Sequence, residues 1–218
     1  MTRTHGTGIR GVLLRALEDI RPLLASERVR DGWDAPSALE RMTIGSLAAH
    51  LGRSLFNVER YLDATTEVPD EEPISPAAYY ASILKTSDLD APVNADVRTR
   101  SDADAAGGWE SLLARFDAAL ASLRDRLAAD DPTRKVRVFG SLVMYLDDYL
   151  VTRLVECVVH ADDLAVSIGV PTPDFDPGVL DLVITDMVGI ARLRHGDLAV
   201  VRALSRRERD EFDALRVF

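Results

Sequence analysis

The chain has 218 residues, 47% of them hydrophobic and 28% charged, a balance that describes a folded globular protein with room for one sizeable core. A formal net charge of −10 argues against a surface that tracks phosphates, so nucleic acid is not an expected partner. Cys157 is the single cysteine, no apolar run reaches membrane-spanning length, and the first residues lack a basic-then-apolar leader, so we expect a cytoplasmic protein with no membrane partner.

The apolar period is helical nearly throughout and breaks at Pro, Gly and Asp clusters. Residues 8–26 predict a first helix that buries Val12, Leu13, Ala16, Leu17, Ile20 and Leu24, and Pro22 should bend or shorten it. A loop at 31–37 leads to Thr43, an N-cap residue type, and to a second helix ending near residue 64. At about 100° per residue, Ile44, Leu47, Ala48, Leu51, Leu55, Val58 and Leu62 gather on one side of it. His50 sits at the edge of that stripe, near Ser54, Asn57 and Tyr61, where a helical interior would meet a cavity.

An acidic linker at 67–76, a short helix at 77–84 and a polar connection to Arg100 follow. Ser101 or Asp102 can cap a long third helix through Trp109, Leu112, Leu113, Phe116, Leu120, Leu123 and Leu127, and the chain turns at Asp130-Asp131-Pro132. Residues 141–168 predict a fourth long helix, stopped by Gly169 with Pro171 beyond. Another helix is expected at 177–193, and 197–204 reads as either a short strand or a helix. The Arg-rich end at 206–209 reads as a solvated face or as a homodimer surface. Four long amphipathic segments predict an all-α four-helix bundle over residues 1–175, with a helical extension at 176–218 that is not a separate domain. No internal repeat interrupts this order.

The fourth helix carries the most informative pattern. Glu156 and His160 are four apart and project from one face, with Arg153 and Asp163 on the same stripe, so a carboxylate and an imidazole can close on one ion. A third ligand must come from elsewhere, and His50 is the candidate. The competing reading makes the stripe a solvated face packed through Val151, Leu154, Val155, Val158 and Ala165, with His50 a hydrogen-bonded histidine at the core margin. Leu146, Tyr149, Cys157 and Leu164 flank the stripe, which a purely solvated face does not explain. Arg153 is expected to orient Glu156 or to receive an anionic substrate group, its plainer role being an intrahelical ion pair, and Asp163 to bind another helix rather than His160. Cys157 reads as packing, with a further soft ligand as the alternative; His5 and His195 read as surface residues.

These residues carry a resemblance. Trp33-Asp-Ala-Pro-Ser37 followed by Met42-Thr-Ile-Gly-Ser-Leu-Ala-Ala-His50-Leu51 resembles the W-x-x-P-S … W-T-V-x-D-x-x-A-H-L opening of the mycothiol-dependent maleylpyruvate isomerase N-terminal family. The run from Arg153 through Glu156, His160 and Asp163 to Leu164 resembles that family's R-x-x-E-x-x-x-H-x-x-D-L helix. The resemblance implies a DinB-like four-helix bundle and a divalent metal, usually zinc, held by His50, Glu156 and His160. It also implies mycothiol or another small thiol as cosubstrate in a transferase or isomerase acting on a small electrophilic substrate. A non-catalytic metal- or ligand-binding module on the same bundle is the alternative. Met42 replaces the usual Trp, and Gly45-Ser46 replaces the usual acidic residue. The isomerase also carries a sterol-carrier-like domain that supplies a substrate-binding arginine; about 40 residues past position 175 are too few for one, so the isomerase's own reaction is not carried over.

Overall fold

The structure, a computed structural model, describes residues 8–64, 68–83, 91–210 and 213–217, and it is mostly helical. Helix α1 (Gly8–Leu24) ends just past Pro22, and a short α2 (Glu27–Asp31) follows with Ser26 as its N-cap. Helix α3 (Ile44–Asp63) starts where expected, the Thr43 hydroxyl accepting from the Ser46 amide at 3.0 Å. His5, the start of the acidic linker at residue 67 and the expected end of the short helix at Leu84 lie outside the described residues. The rest of that helix is α4 (Pro76–Ile83).

Two expectations are corrected. The polar connection before Arg100 is a helix, α5 (Pro92–Ala105), with Pro92 in its first turn. Ser101 and Asp102 therefore lie inside α5 and cap nothing. Gly108, at φ +79°, takes a left-handed turn that other residues resist, and this separates α5 from α6 (Gly108–Ala129). The expected fourth helix also starts late. Residues Lys135–Arg137 (β1) and Val143–Tyr145 (β2) form an antiparallel ribbon with Val136 opposite Met144, and α7 spans Leu146–Ile168. Alternation explains the ribbon: Val136 and Val138 are buried while Arg137 between them is exposed. Gly169, at φ +65°, ends α7 as expected.

The long helices pack in a closed order, α1 and α3 each against both α6 and α7. Helix α5 covers α3, while α8 (Pro177–His195) lies on α4 and α7, with α9 (Asp197–Ser205) beyond it. The choice left open at 197–204 is thus settled as helix. The buried positions of α1 and α3 include nearly all of those read from periodicity; Val12 and Leu62 are only partly buried. Among the described residues no helix is long and apolar enough to cross a membrane.

One polar knot ties the ends of three helices. Buried Arg10 of α1 pairs with buried Asp147 at the start of α7, 2.8 Å away, and donates to the carbonyls of Leu127 and Asp130 at the end of α6. Removing the guanidinium leaves Asp147 charged and uncompensated. Arg10→Ala is expected to cost about 3–5 kcal/mol in denaturant unfolding, and a loss below about 1 kcal/mol would show that the knot contributes little.

On α8, burial first and Asp148 second raise the Asp186 carboxyl to about 6. Below about pH 4 the folded and unfolded carboxyls are both protonated, and the burial of a charge carries no penalty. Between about pH 4 and 6 the unfolded carboxyl ionises while the folded one still holds its proton, so stability falls across that window by on the order of 2 kcal/mol and levels off above it. Asp186→Asn is expected to raise the melting temperature at pH 8 and to leave it unchanged at pH 4. An equal gain at both pH values would assign the effect to packing instead.

Candidate metal centre

Glu156 and His160 stand one turn apart on α7, and His50 reaches them from α3, which packs along α7. The three donor atoms form a triangle. His50 Nε2 lies 3.1 Å from His160 Nε2 and 3.6 Å from Glu156 Oε2, and His160 Nε2 lies 3.3 Å from that same oxygen. A tetrahedral ion with donors about 2.0–2.1 Å away spaces them about 3.3 Å apart, so the residues present fit a zinc-sized cation. Among the described residues, this is the group of three or more His, Cys, Asp or Glu whose ligand atoms lie close enough to share an ion.

The far side of each side chain is held as well. The buried Ser101 hydroxyl of α5 donates to the Val97 carbonyl at 2.8 Å, so towards His50 Nδ1, 3.1 Å away, it serves as acceptor. His50 therefore carries its hydrogen on Nδ1 and turns the lone pair of Nε2 to the centre. Asp163 Oδ2 does the same for His160, accepting from Nδ1 at 2.9 Å. This corrects the expectation that Asp163 binds another helix: at three residues' spacing it is within reach of its own neighbour. Imidazoles oriented in this way are what metal ligation through Nε2 requires.

Glu156 is fixed at both oxygens. The Tyr80 hydroxyl, fully buried on α4, lies 2.8 Å from Oε1 and 2.9 Å from the Thr152 carbonyl, so its one hydrogen serves two acceptors while Oε2 faces the imidazoles. Arg153 is buried, donates through Nε to Thr152 Oγ1 at 3.1 Å, lies over the Tyr149 ring, and holds Nη2 4.0 Å from Oε1. It supports Glu156 as a nearby charge rather than through a tight bidentate pair.

These contacts set the charge at the centre. Burial works against an ionised Glu156, but the two imidazoles and Arg153 outweigh it and hold the carboxyl well below its ordinary range. Burial lowers His160, and Asp163 and Glu156 more than reverse this, raising it to about 9. His50 is pushed down, by burial first and by His160 second. The arrangement favours one positive charge among these donors, whether a proton on His160 or a cation bridging all three.

The triad opens on a cavity of about 570 Å³ walled by α3, α4, α5, α7 and the β1–β2 loop, with Tyr79, Tyr61 and Phe139 on its sides. Cys157 is fully buried beside the Ala16 carbonyl, its thiol pushed up mainly by burial, and it takes no part in the triad. His195 is not simply a surface residue: it is half-buried at the end of α8, and its Nε2 is shut away without a hydrogen-bond partner among the described residues. Tyr80 and Ser101 were not legible in advance, because a lone Tyr in a short helix and a Ser in a polar stretch carry no periodic signal. Trp33, by contrast, explains the glycine in the first motif: a Cβ on Gly45 would stand 2.5 Å from the indole. The Ser46 hydroxyl next to it donates to Asp102 of α5.

Titration with zinc against a chelating dye is expected to show affinity reduced about 10–100-fold by Asp163→Ala and by Ser101→Ala. Wild-type affinity in both variants would deny these residues their orienting role.

Comparison with curated proteins and with solved structures finds no match. The family model described as the mycothiol maleylpyruvate isomerase N-terminal domain matches residues 13–165, a span that takes in His50 as well as Glu156 and His160. Well over half of the chain lies within that match, and the chain belongs to this family.

Proposed function

We propose that this chain is a divalent-metal enzyme on a DinB-like four-helix bundle, using a small thiol of the mycothiol type to transfer to, or isomerise, a small electrophilic substrate. The observation that carries the proposal is the donor triangle of His50, Glu156 and His160 at the floor of a cavity large enough for a small molecule. Three protein donors on one side leave coordination positions facing the cavity, the mark of a catalytic rather than a closed structural site. Zinc is the ion that the two imidazoles, the carboxylate and their spacing suit best.

A divalent ion held there would supply Lewis acidity and lower the pKa of a thiol that reaches it, making the thiolate available as nucleophile. The chain's own residues do the rest. Ser101 and Asp163 fix the tautomers of His50 and His160, and Tyr80 holds Glu156 so that Oε2 points inward. Arg153 positions the same carboxylate and compensates its charge. The buried rings of Tyr80 and Tyr149 and the partly buried Tyr61 line the cavity around the triad and limit water at the reacting end. A cytoplasmic location suits a thiol-dependent reaction and a single buried cysteine.

Purified protein is expected to hold one equivalent of metal, and His50→Ala and His160→Ala to lose it while staying helical by circular dichroism. Metal-loaded protein given mycothiol and a panel of electrophiles is expected to form thiol-dependent product, abolished by chelation. Unchanged metal content in both variants would remove the metal reading. Bound metal without thiol-dependent product would instead make the chain a binding module.

A further inference from the structure

Although the chain is strongly acidic overall, one wall of the cavity is cationic. The cavity above the triad and a neighbouring one of about 700 Å³ share Arg53, Asn57, Arg60 and Arg100. Arg53 stands one turn beyond His50 on α3 and is only 8% exposed. Its Nη1 is closed off from solvent and, among the described residues, has no hydrogen-bond acceptor. The carboxylate it faces, Asp104, is 3.8 Å away and is already bound by Arg115 at 2.8 Å.

The other acids on this wall are committed elsewhere. Glu59 and Asp63 face Arg126 at 3.9 Å and 2.6 Å. Arg100 is paired with Asp96 at 2.6 Å but remains partly exposed, and the Arg60 guanidinium rests on the Tyr61 ring. Burial first, and repulsion from Arg100 second, pull the Arg53 guanidinium below its ordinary range. A buried guanidinium with an unmet N–H among like charges is destabilising by itself, and an anion is the group that completes it.

We propose that Arg53, with Arg100 and Arg60, forms an oxyanion subsite separate from the metal centre, taking the carboxylate or phosphate group of a small ligand whose other end reaches the triad. The backbone positions of His50 and Arg53 are offset by about 4.5 Å along α3, and both side chains line the same cavity. The guanidinium fork gives such a group two parallel hydrogen bonds, which a lone ammonium would not. The subsite depends neither on bound metal nor on a thiol reaction, so it stands or falls apart from the function proposed above.

The test is calorimetric titration of the full chain with inorganic phosphate and with succinate at constant ionic strength, chloride serving as reference. Saturable binding is expected in the wild type and in metal-free His160→Ala. It is expected to weaken at least about tenfold in Arg53→Met and measurably in Arg100→Gln, whose side chain lies nearer the surface. Arg53→Met removes an unpaired buried charge, so its melting temperature should equal or exceed that of the wild type, which separates lost binding from lost fold. Tighter binding of succinate assigns the subsite to carboxylates, and tighter binding of phosphate to phosphate esters. Absence of saturable binding in the wild type would overturn the subsite. So would wild-type binding in both arginine variants, or binding lost in His160→Ala but kept in Arg53→Met.

Discussion

Glu156 is the constraint around which the rest of the site is arranged. A carboxylate with 16% of its side chain exposed must find partners for both oxygens, or it takes up a proton and stops being a ligand. Its partners come from three directions: Tyr80 on α4 at one oxygen, His50 on α3 and His160 on α7 at the other. Each element that contributes a partner is thereby fixed in distance to α7. Tyr80 also reaches the Thr152 carbonyl, which anchors the short α4 to the long helix and closes one side of the cavity.

The same logic extends one layer outward. Ser101 and Asp163 do not touch the centre of the triad, yet they decide which nitrogen of each imidazole faces it. Helix α5 exists in this sense to carry Ser101: it covers α3, fills its inner side with small residues, and sets its hydroxyl beside His50. Because the Ser101 hydrogen is taken by the Val97 carbonyl one turn earlier in α5, the direction of the bond to His50 follows from helix geometry alone.

Charge is distributed against the average. The acids of this chain lie mainly on the outside or pair with surface arginines, as in Arg21 with Asp117 and Arg126 with Asp63. The guanidiniums of Arg53 and Arg153 are turned inward and buried. Among the described residues, Glu156 is the acidic side chain lining the cavity of the triad, which several arginines also line, so the field they set there opposes that of the chain as a whole. A net charge describes long-range behaviour; it says nothing about a cavity whose walls are chosen residue by residue.

The sequence by itself determined the long amphipathic helices and the i, i+4 pairing of Glu156 with His160, because both are local consequences of a 3.6-residue turn. It also marked the caps at Thr43 and Gly169, where one residue satisfies the helix end. The histidine partner on α3 was legible as a polar residue at the edge of an apolar stripe, without any measure of its distance to α7. Only the tertiary structure decided that distance, the tautomers, and the roles of Tyr80, Ser101 and Arg53. Each of these depends on which helices are neighbours, and hydrogen bonds between residues 50 and 101 or 80 and 156 leave no period in the chain. Helix α5 and the β ribbon were missed for a related reason. The inward side of α5 offers only small or short side chains, Val93, Val97, Ser101 and Ala105, too little apolar bulk to mark a helix until α3 is packed against it.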